Sequence, residues 1–311
     1  MEKDEKIFVA GYEGMIDSAI LRRLKEGGFT NLIIRNSSEL NMTSQRIVFD
    51  FFMEEKPDYV FLAAAKVGGI LANSRYPAEF IYNNIQTQTN VIHSAWKSGV
   101  KKLLFGGSSC IYPKECRQPM KEEYLLSGKL ESTSEPYAIA KIAGIRMCQS
   151  YNLQYGTDYI SVVPADIYGP DDDLNPETSH ALPAMLQKTH EAKIRGKSEV
   201  VVWGTGSPRR EALHVDDLAD AYIFLMNNYD ESAMINVGTG EDSSITELAR
   251  LISDIIGFKG NLIFDESKPD GAPRKLLDSS KISKLGWAPK ISLENGIRQT
   301  YEWYKKHVGN N

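Results

Sequence analysis

The sequence predicts an α/β fold: a doubly wound parallel sheet with helices on both faces, joined to a smaller α/β lobe. Short apolar runs alternate with segments of helical periodicity from the start of the chain to position 164. A glycine-rich turn at 11–14 directly follows the first apolar run. The length of 311 residues is large for one hydrophobic core, so we expect two lobes.

The first half of the chain contains short apolar runs that turns or polar residues end, as is typical of buried strands. We expect strands at 7–10, 32–35, 59–63, 102–105 and 160–164. Apolar residues at helical spacing lie between these runs. They predict helices at 15–27, 44–55, 78–98 and 137–154.

The second half breaks this alternation with prolines, which indicates that the chain leaves the sheet. The prolines are Pro164, Pro170, Pro176 and Pro183. Later elements are predicted at 199–203 (strand), 215–227 (helix), 233–237 (strand), 244–256 (helix) and 284–306. We expect a dinucleotide-binding domain over 1–170, which 214–240 rejoin, and a substrate-binding lobe made of 171–213 and 241–311.

Composition and charge exclude several classes of function. The net charge is −5 without a basic block, which argues against a nucleic-acid surface. No apolar run reaches the length of a membrane span, and the charged start of the chain is unlike a signal peptide. Three cysteines, at 110, 116 and 148, show neither metal-ligand nor disulfide spacing, so we expect no metal and a reducing cytoplasm. We interpret His214 as the N-cap of the helix at 215–227 rather than as a metal ligand.

The turn between the first strand and the first helix is a candidate nucleotide site. Gly11 and Gly14 would let a pyrophosphate approach the N–H groups at the start of the helix. A third glycine would be expected at position 17, but the residue is Asp17, whose charge disfavours a pyrophosphate unless it points away. Arg35 ends the second strand, where a cation can bind an adenosine 2′-phosphate, and this favours NADP over NAD. The alternative is a tight turn without a ligand and a solvated arginine.

Tyr137 and Lys141 lie four residues apart on a predicted helix, so the phenol and the ammonium share one face. We expect the ammonium to lower the pKa of the phenol, which makes Tyr137 a candidate acid/base. Ser108, after the fourth strand, is a candidate to hydrogen-bond the oxygen that gains or loses the proton. The spacing of Tyr137 and Lys141 alone is weak evidence for a catalytic pair. It becomes informative because the chain also contains a candidate nucleotide-binding turn.

Longer motifs resemble the extended short-chain dehydrogenase/reductase family over nearly the whole chain. They are AAAKVGGI at 63–70, GSSCIYPK at 107–114, YAIAKIAG at 137–144, VWGTG at 202–206, LHVDD at 213–217, KPDG at 268–271 and PRKLLD at 273–278. Within that family the motifs are most similar to those of the 3,5-epimerase-4-reductases that act on GDP-4-keto-6-deoxy-D-mannose. The resemblance therefore implies a Rossmann-type fold and the formation of GDP-L-fucose.

The resemblance also implies which residues act. A cysteine and a histidine, here Cys110 and His180, would exchange the acidic protons at carbons 3 and 5 of the sugar. Reduction of carbon 4 would follow, with NADPH as hydride donor and Tyr137 as proton donor. The implied catalytic set is Ser108, Cys110, Tyr137, Lys141 and His180.

Binding residues follow from the same resemblance. Those implied for NADP(H) are Gly11, Gly14, Met15, Ile16, Arg35, Ala63, Ala64, Tyr137, Lys141, Pro164, Ile167 and His180. Those implied for the GDP-sugar are Lys188, Trp203, Arg210 and Lys275, of which Arg210 and Lys275 suit a diphosphate. The family further implies a homodimer.

Several positions depart from the family pattern. Glu13 and Asp17 lie in the glycine turn, Asp166 replaces an amide expected beside the nicotinamide, and Lys188 stands where an arginine is usual. The three carboxylates add negative charge near cofactor and sugar. Two alternative hypotheses stay open. One is a reductase of another GDP-4-keto sugar without double epimerisation, and the other is a catalytically weak family member that serves as a binding partner.

Overall fold

The computed structural model describes residues 1–11, 14–174 and 179–307. Its strands are β1 (Ile7–Ala10), β2 (Leu32–Arg35), β3 (Tyr59–Leu62), β4 (Lys102–Gly106), β5 (Asp158–Pro164), β6 (Asp166–Tyr168), β7 (Glu199–Trp203), β8 (Arg209–Arg210), β9 (Ala212–His214), β10 (Ile235–Val237), β11 (Ser243–Ser244), β12 (Asn261–Asp265) and β13 (Arg274–Lys275). Its α-helices are α1 (Met15–Glu26), α2 (Gln45–Glu55), α3 (Ile70–Arg75), α4 (Pro77–Ser98), α5 (Glu135–Tyr155), α6 (Ala181–Ile194), α7 (Val215–Asn228), α8 (Ile245–Ile256), α9 (Ser280–Lys284) and α10 (Leu293–His307). Short 3-10 helices span Ser109–Ile111 and Glu122–Tyr124.

Six strands form one parallel sheet, in the order β10-β5-β4-β3-β1-β2. The prediction of a parallel α/β sheet is therefore confirmed. The chain builds outward from β1 to β2 and then crosses back to β3, so the order reverses between β1 and β3. In open α/β sheets ligands bind at such a reversal, beyond the carboxyl ends of the strands.

The elements of the sheet follow from their sequences. The central strands are largely apolar, because helices cover both faces of a parallel sheet, and β1 and β4 are buried along their whole length. Gly144 on α5 makes the close contact between that helix and β4 possible. A Cβ at Gly144 would meet the Phe105 ring at 2.3 Å, a distance that side chains do not tolerate.

The second part of the chain contains elements that the sequence analysis did not predict. Helix α6 was missed because Pro183 was interpreted as a break, whereas it lies in the first turn of the helix, where a missing N–H costs little. The very short strands β6, β8, β9 and β13 form small separate sheets. The segment predicted over 284–306 contains α10, while α9 lies just before it.

Buried apolar residues form two main clusters. The larger one packs around the six-stranded sheet, and the smaller one lies between α6, α8 and α10. This separation supports two lobes, and the residue boundaries given above stay a prediction. Among the residues that the structure describes, none of the helices combines the length and the apolar character needed to span a bilayer.

Candidate functional site

The glycine turn lies at the carboxyl end of β1 and leads into α1. Gly11 has φ +115°, a conformation that favours glycine, and the N–H of Gly14 donates to the Gly11 carbonyl at 3.2 Å. Met15 and Ile16 form the first positions of α1, whose free N–H groups face the turn. Residues 12 and 13 lie outside the described residues, so the prediction for Glu13 is not placed.

Asp17 is buried directly beneath this turn. It is 4 % exposed, and its Oδ2 would lie 2.6 Å from a Cβ built at either Gly11 or Gly14. Its Oδ1 has no hydrogen-bond partner among the described residues. Burial raises the pKa of Asp17 well above its usual range, although Lys141 opposes the shift. The carboxyl thus faces the turn and does not point away from it.

Arg35 lies at the end of β2, next to the turn, as predicted from the sequence. Its Nη2 donates to Oε1 of Glu55 at 2.6 Å, and its Nη1 donates to the Ile34 carbonyl at 2.8 Å. Contacts with α2 and with its own strand therefore hold the guanidinium in place without a bound phosphate. The side chain is 37 % exposed, so part of it stays open to a ligand.

The other residues proposed to contact the cofactor follow the ends of neighbouring strands. Ala63 and Ala64 follow β3, and the Ala64 N–H donates to the Ala10 carbonyl at 3.1 Å. Pro164 ends β5, and Ile167 lies in β6. These positions border the reversal between β1 and β3 or the strands beside it, where the sheet topology places a ligand.

Ser108, Tyr137 and Lys141 meet at the carboxyl end of β4. Lys141 is buried and donates its Nζ to the Gly106 carbonyl at 2.7 Å, and this nitrogen lies 5.9 Å from the centre of the Tyr137 ring. Desolvation lowers the pKa of Lys141 to about 8, against the opposing charge of Asp17. Helix α5 therefore presents phenol and ammonium together, as their spacing predicted.

The pKa expected for Tyr137 from the sequence is wrong in direction. Burial is the largest effect and raises the pKa of the phenol, with a further contribution from Cys110. A hydrogen bond with Ser108 lowers the pKa without overcoming the burial. Tyr137 is therefore a protonated phenol at neutral pH, which suits a proton donor.

Cys110 lies on the short 3-10 helix that Ser108 caps. The Ser108 hydroxyl accepts from the Cys110 N–H at 3.3 Å, so the two side chains share one turn. Lys275 on β13 donates its Nζ to the Cys110 Sγ at 3.4 Å. This contact places a cation directly against the sulfur of Cys110.

Several charged or titratable side chains lie around the Cys110 thiol. The carboxylate of Asp166 lies between two cations, with Oδ1 3.9 Å from Lys275 Nζ and Oδ2 3.9 Å from Arg210 Nε. His180 is the residue directly before α6. Desolvation lowers the pKa of His180, and the charge of Asp166 opposes that shift. Cys110, His180 and the two proposed diphosphate cations thus share one electrostatic neighbourhood.

Lys188 and Trp203 lie together on the second lobe. The Lys188 Nζ lies 5.0 Å from the centre of the Trp203 ring, a cation–π distance, and Trp203 is 45 % exposed at the end of β7. Desolvation lowers the pKa of Lys188. The pair offers an apolar face and a cation, and its role with a substrate stays a prediction.

Two buried polar residues next to the site were missed by the sequence analysis. The carboxylate of Glu211 accepts from the Gly240 N–H at 2.7 Å and from the Leu277 N–H at 2.8 Å, and burial raises its pKa to about 7. The Tyr222 hydroxyl lies 3.2 Å from the place that a Cβ on Gly106 would take. Glu211 lies between two short strands, β8 and β9. These strands are too short to be recognised in the sequence by an alternation of polar and apolar residues.

The predicted cap at His214 is confirmed, because its Nδ1 accepts from the Asp216 N–H at 3.2 Å at the start of α7. In the part of the chain that the structure describes, no group of three or more His, Cys, Asp and Glu side chains is arranged to hold a metal ion.

Comparison with known proteins agrees with this geometry. Residues 7–238 match the model of the NAD dependent epimerase/dehydratase family. The chain is 58 % identical to GDP-L-fucose synthase 1 of Arabidopsis thaliana over 309 residues, which cover 99 % of this chain and 96 % of that protein.

Solved structures are similar as well. A GDP-6-OMe-4-keto-L-xylo-heptose reductase from C. jejuni is 40 % identical with a TM-score of 0.94, covering 98 % of this chain and 99 % of that one. A GDP-L-fucose synthetase from Naegleria fowleri bound to NADP is 26 % identical with a TM-score of 0.91, covering 100 % and 97 %. Since the family model spans more than half of the sequence and the relatives match it almost end to end, the chain belongs to the NAD dependent epimerase/dehydratase family.

Proposed function

We propose that the protein is an NADPH-dependent 3,5-epimerase and 4-reductase that converts GDP-4-keto-6-deoxy-D-mannose to GDP-L-fucose. The observation that carries the proposal is the pairing of Cys110 Sγ with Lys275 Nζ at 3.4 Å, one turn from Ser108. A thiolate suits proton abstraction beside a carbonyl, and the neighbouring tyrosine and lysine suit ketone reduction.

The epimerisation uses the two titratable groups on either side of the substrate. The thiolate of Cys110 takes a proton from a carbon beside the ketone, and the electron pair of that C–H bond moves into an enolate. His180 returns a proton to the opposite face, so the centre inverts and a solvent proton enters. The ammonium of Lys275 contacts the sulfur of Cys110 at 3.4 Å throughout this step.

The reduction uses the protonated phenol of Tyr137. NADPH supplies a hydride for carbon 4 when it is bound. Tyr137 gives its proton to the carbon 4 oxygen, Ser108 hydrogen-bonds the same oxygen, and the ammonium of Lys141 stabilises the phenolate that remains. With a pKa of about 8, Lys141 is mostly charged at neutral pH and can do so.

The residues present fit a dinucleotide phosphate. Gly11 and Gly14 form a turn at the N-terminus of α1, where the first N–H groups of a helix favour an anion. The carboxyl of Asp17 lies below the turn and is favoured in its neutral form by burial, which removes much of the expected repulsion. We assign the turn, the residues after β3 and β5, and Arg35 to the cofactor.

Arg35→Ala should erase a preference for NADPH over NADH, because a guanidinium binds the 2′-phosphate with two hydrogen bonds. A loss of about 2 kcal/mol is expected for NADPH, within the range for hydrogen bonds to charged groups, and little change for NADH. Titration of both cofactors measures it. Arg46→Ala, on the outer surface of α2, is the matched control, and an unchanged preference in Arg35→Ala would remove Arg35 from the site.

Asp17→Gly should tighten NADPH binding by about tenfold, equivalent to roughly 1.4 kcal/mol. The folded-state pKa of Asp17 is raised, so its neutral form persists above the usual range and charge appears only as the pH rises through the raised pKa. The gain from Asp17→Gly should therefore grow with pH. Asp17→Asn keeps the shape without titrating and separates charge from space. Weaker binding in Asp17→Gly would show that the carboxyl supports the turn.

We assign the GDP-sugar to the side of the cleft that carries the second lobe. Arg210 and Lys275 would bind the diphosphate, since both are cations on paired short strands. Trp203 and Lys188 would contact a more distant part of the ligand from the end of β7 and from α6.

Incubation of the protein with NADPH and GDP-4-keto-6-deoxy-D-mannose in deuterated water tests the proposal. We expect NADPH consumption, GDP-L-fucose as product, and deuterium at carbons 3 and 5. The likeness to a C. jejuni heptose reductase favours a second candidate, reduction without double epimerisation. That activity would leave carbons 3 and 5 free of deuterium. Absence of both turnover and NADPH binding would favour a non-catalytic binding partner.

We also propose a homodimer in the cytoplasm. The outer face of α5 supports it, because Leu153 is 91 % exposed and Ile139 is 42 % exposed, with Tyr82 of α4 at 60 %. Exposed apolar side chains on neighbouring helices are typical of a protein interface. The molecular mass in solution, against 34.8 kDa for one chain, checks the assembly.

A further inference from the structure

We propose that Asp166 is a positioning residue for the epimerisation, which holds Lys275 beside Cys110 and keeps His180 able to deliver a proton. The proposal rests on the function proposed above. Asp166 faces the cleft from β6, its side chain is 43 % exposed, and its backbone N–H donates to the Glu211 carbonyl at 3.2 Å. The backbone of Asp166 is therefore held by Glu211, while its carboxylate stays accessible from the cleft.

The contacts of Asp166 place one anion among groups that the reaction needs charged. Oδ1 lies 3.9 Å from Lys275 Nζ and Oδ2 lies 3.9 Å from Arg210 Nε. Ser109, which is buried in the same turn as Cys110, also contributes to lowering the pKa of this carboxyl group. Partial desolvation by itself would raise the pKa of Asp166, but the charges of Lys275 and Arg210 outweigh this effect and lower the pKa, so the group is a carboxylate.

Asp166 affects Lys275 and His180 in different ways. Lys275 is shared between the thiol and the carboxylate, which aligns the ammonium 3.4 Å from Cys110 Sγ. Desolvation lowers the pKa of His180, Lys275 lowers it further, and Asp166 and Asp173 raise it. Without the Asp166 charge the imidazolium is less available, and the enolate receives a proton from His180 less readily.

Asp166→Asn keeps the shape of the side chain and removes its charge. In deuterated water we expect exchange at carbons 3 and 5 to fall about tenfold for each unit by which the pKa of His180 falls. The basic limb of the exchange pH profile should move to lower pH, because the imidazolium form is lost earlier as pH rises. Hydride transfer should fall less than exchange and keep the pH dependence of the wild-type protein. Asp166→Glu should recover part of the exchange.

The controls separate this inference from the proposed function. Asp50→Asn removes a carboxylate from the outer surface of α2 and should match the wild type in both half-reactions. If the wild type neither exchanges protons nor oxidises NADPH, the proposed function fails, and this inference fails with it. If the wild type does both and Asp166→Asn exchanges at the same rate with an unmoved profile, only the role of Asp166 is overturned. Equal losses of exchange and hydride transfer, without a shifted profile, would also overturn it, since they indicate a structural defect.

Discussion

Tyr137→Phe is expected to reduce hydride transfer to carbon 4 by about 10²–10⁴-fold, the usual contribution of a positioned acid. The carbon 4 oxygen then loses its proton donor, while the ring keeps its packing against Phe80 at 6.4 Å between ring centres. Burial keeps the Tyr137 phenol protonated, so the loss should persist across neutral pH. The rate of NADPH oxidation with the keto sugar measures it.

Two comparisons make this result specific. Ser108→Ala should cost about 10²-fold, since it removes one hydrogen bond to the developing oxyanion and leaves the proton donor in place. Tyr151 lies on the same helix away from the cleft, and its hydroxyl contacts His93 Nδ1 at 2.7 Å. Tyr151→Phe should therefore leave the rate unchanged. Reduction by Tyr137→Phe at the wild-type rate would show that another group protonates the oxygen.

Cys110→Ser is expected to suppress deuterium incorporation at carbons 3 and 5 by at least about 10²-fold while some reduction of the unepimerised ketone continues. A serine hydroxyl is a far weaker base than a thiolate at neutral pH, even next to the ammonium of Lys275. Mass and NMR analysis of the product show both effects together, because a product reduced without exchange differs in configuration as well as in isotope.

Cys116 provides the control for this experiment, and His180 provides a second test of the exchange reaction. Cys116→Ser changes a partly buried thiol whose pKa desolvation raises, so it serves as the matched control and should exchange normally. His180→Asn should impair the same half-reaction as Cys110→Ser. Normal exchange in both Cys110→Ser and His180→Asn would refute the pair.

The sheet was predictable from sequence because its strands are apolar on both faces and turns separate them from amphipathic helices. Helix α5 was predicted between the fourth and fifth strands, and with it the shared face of Tyr137 and Lys141. The small sheets of the second part were not, since two- and three-residue strands such as β8 and β9 carry no periodicity.

Electrostatics was the least predictable part of the site. The spacing of Tyr137 and Lys141 suggested a lowered pKa for the phenol, but the degree of burial, which depends on the whole fold, reverses the direction. The contacts of Lys275 with Cys110 and Asp166 join residues more than 100 positions apart and become visible only in three dimensions. Motif resemblance named Cys110 and Lys275 without indicating that they touch.

The hydrogen bonds of Glu211 tie the short strands of the second part of the chain to the six-stranded sheet. Its carboxylate joins the loop after β10 to Leu277, and its backbone pairs with Lys275 and Asp166. The strands β8 and β13, which carry Arg210 and Lys275, are thereby anchored to the edge strand β10. Separating these strands from the sheet would break several backbone contacts at once and leave the buried Glu211 carboxylate without its donors.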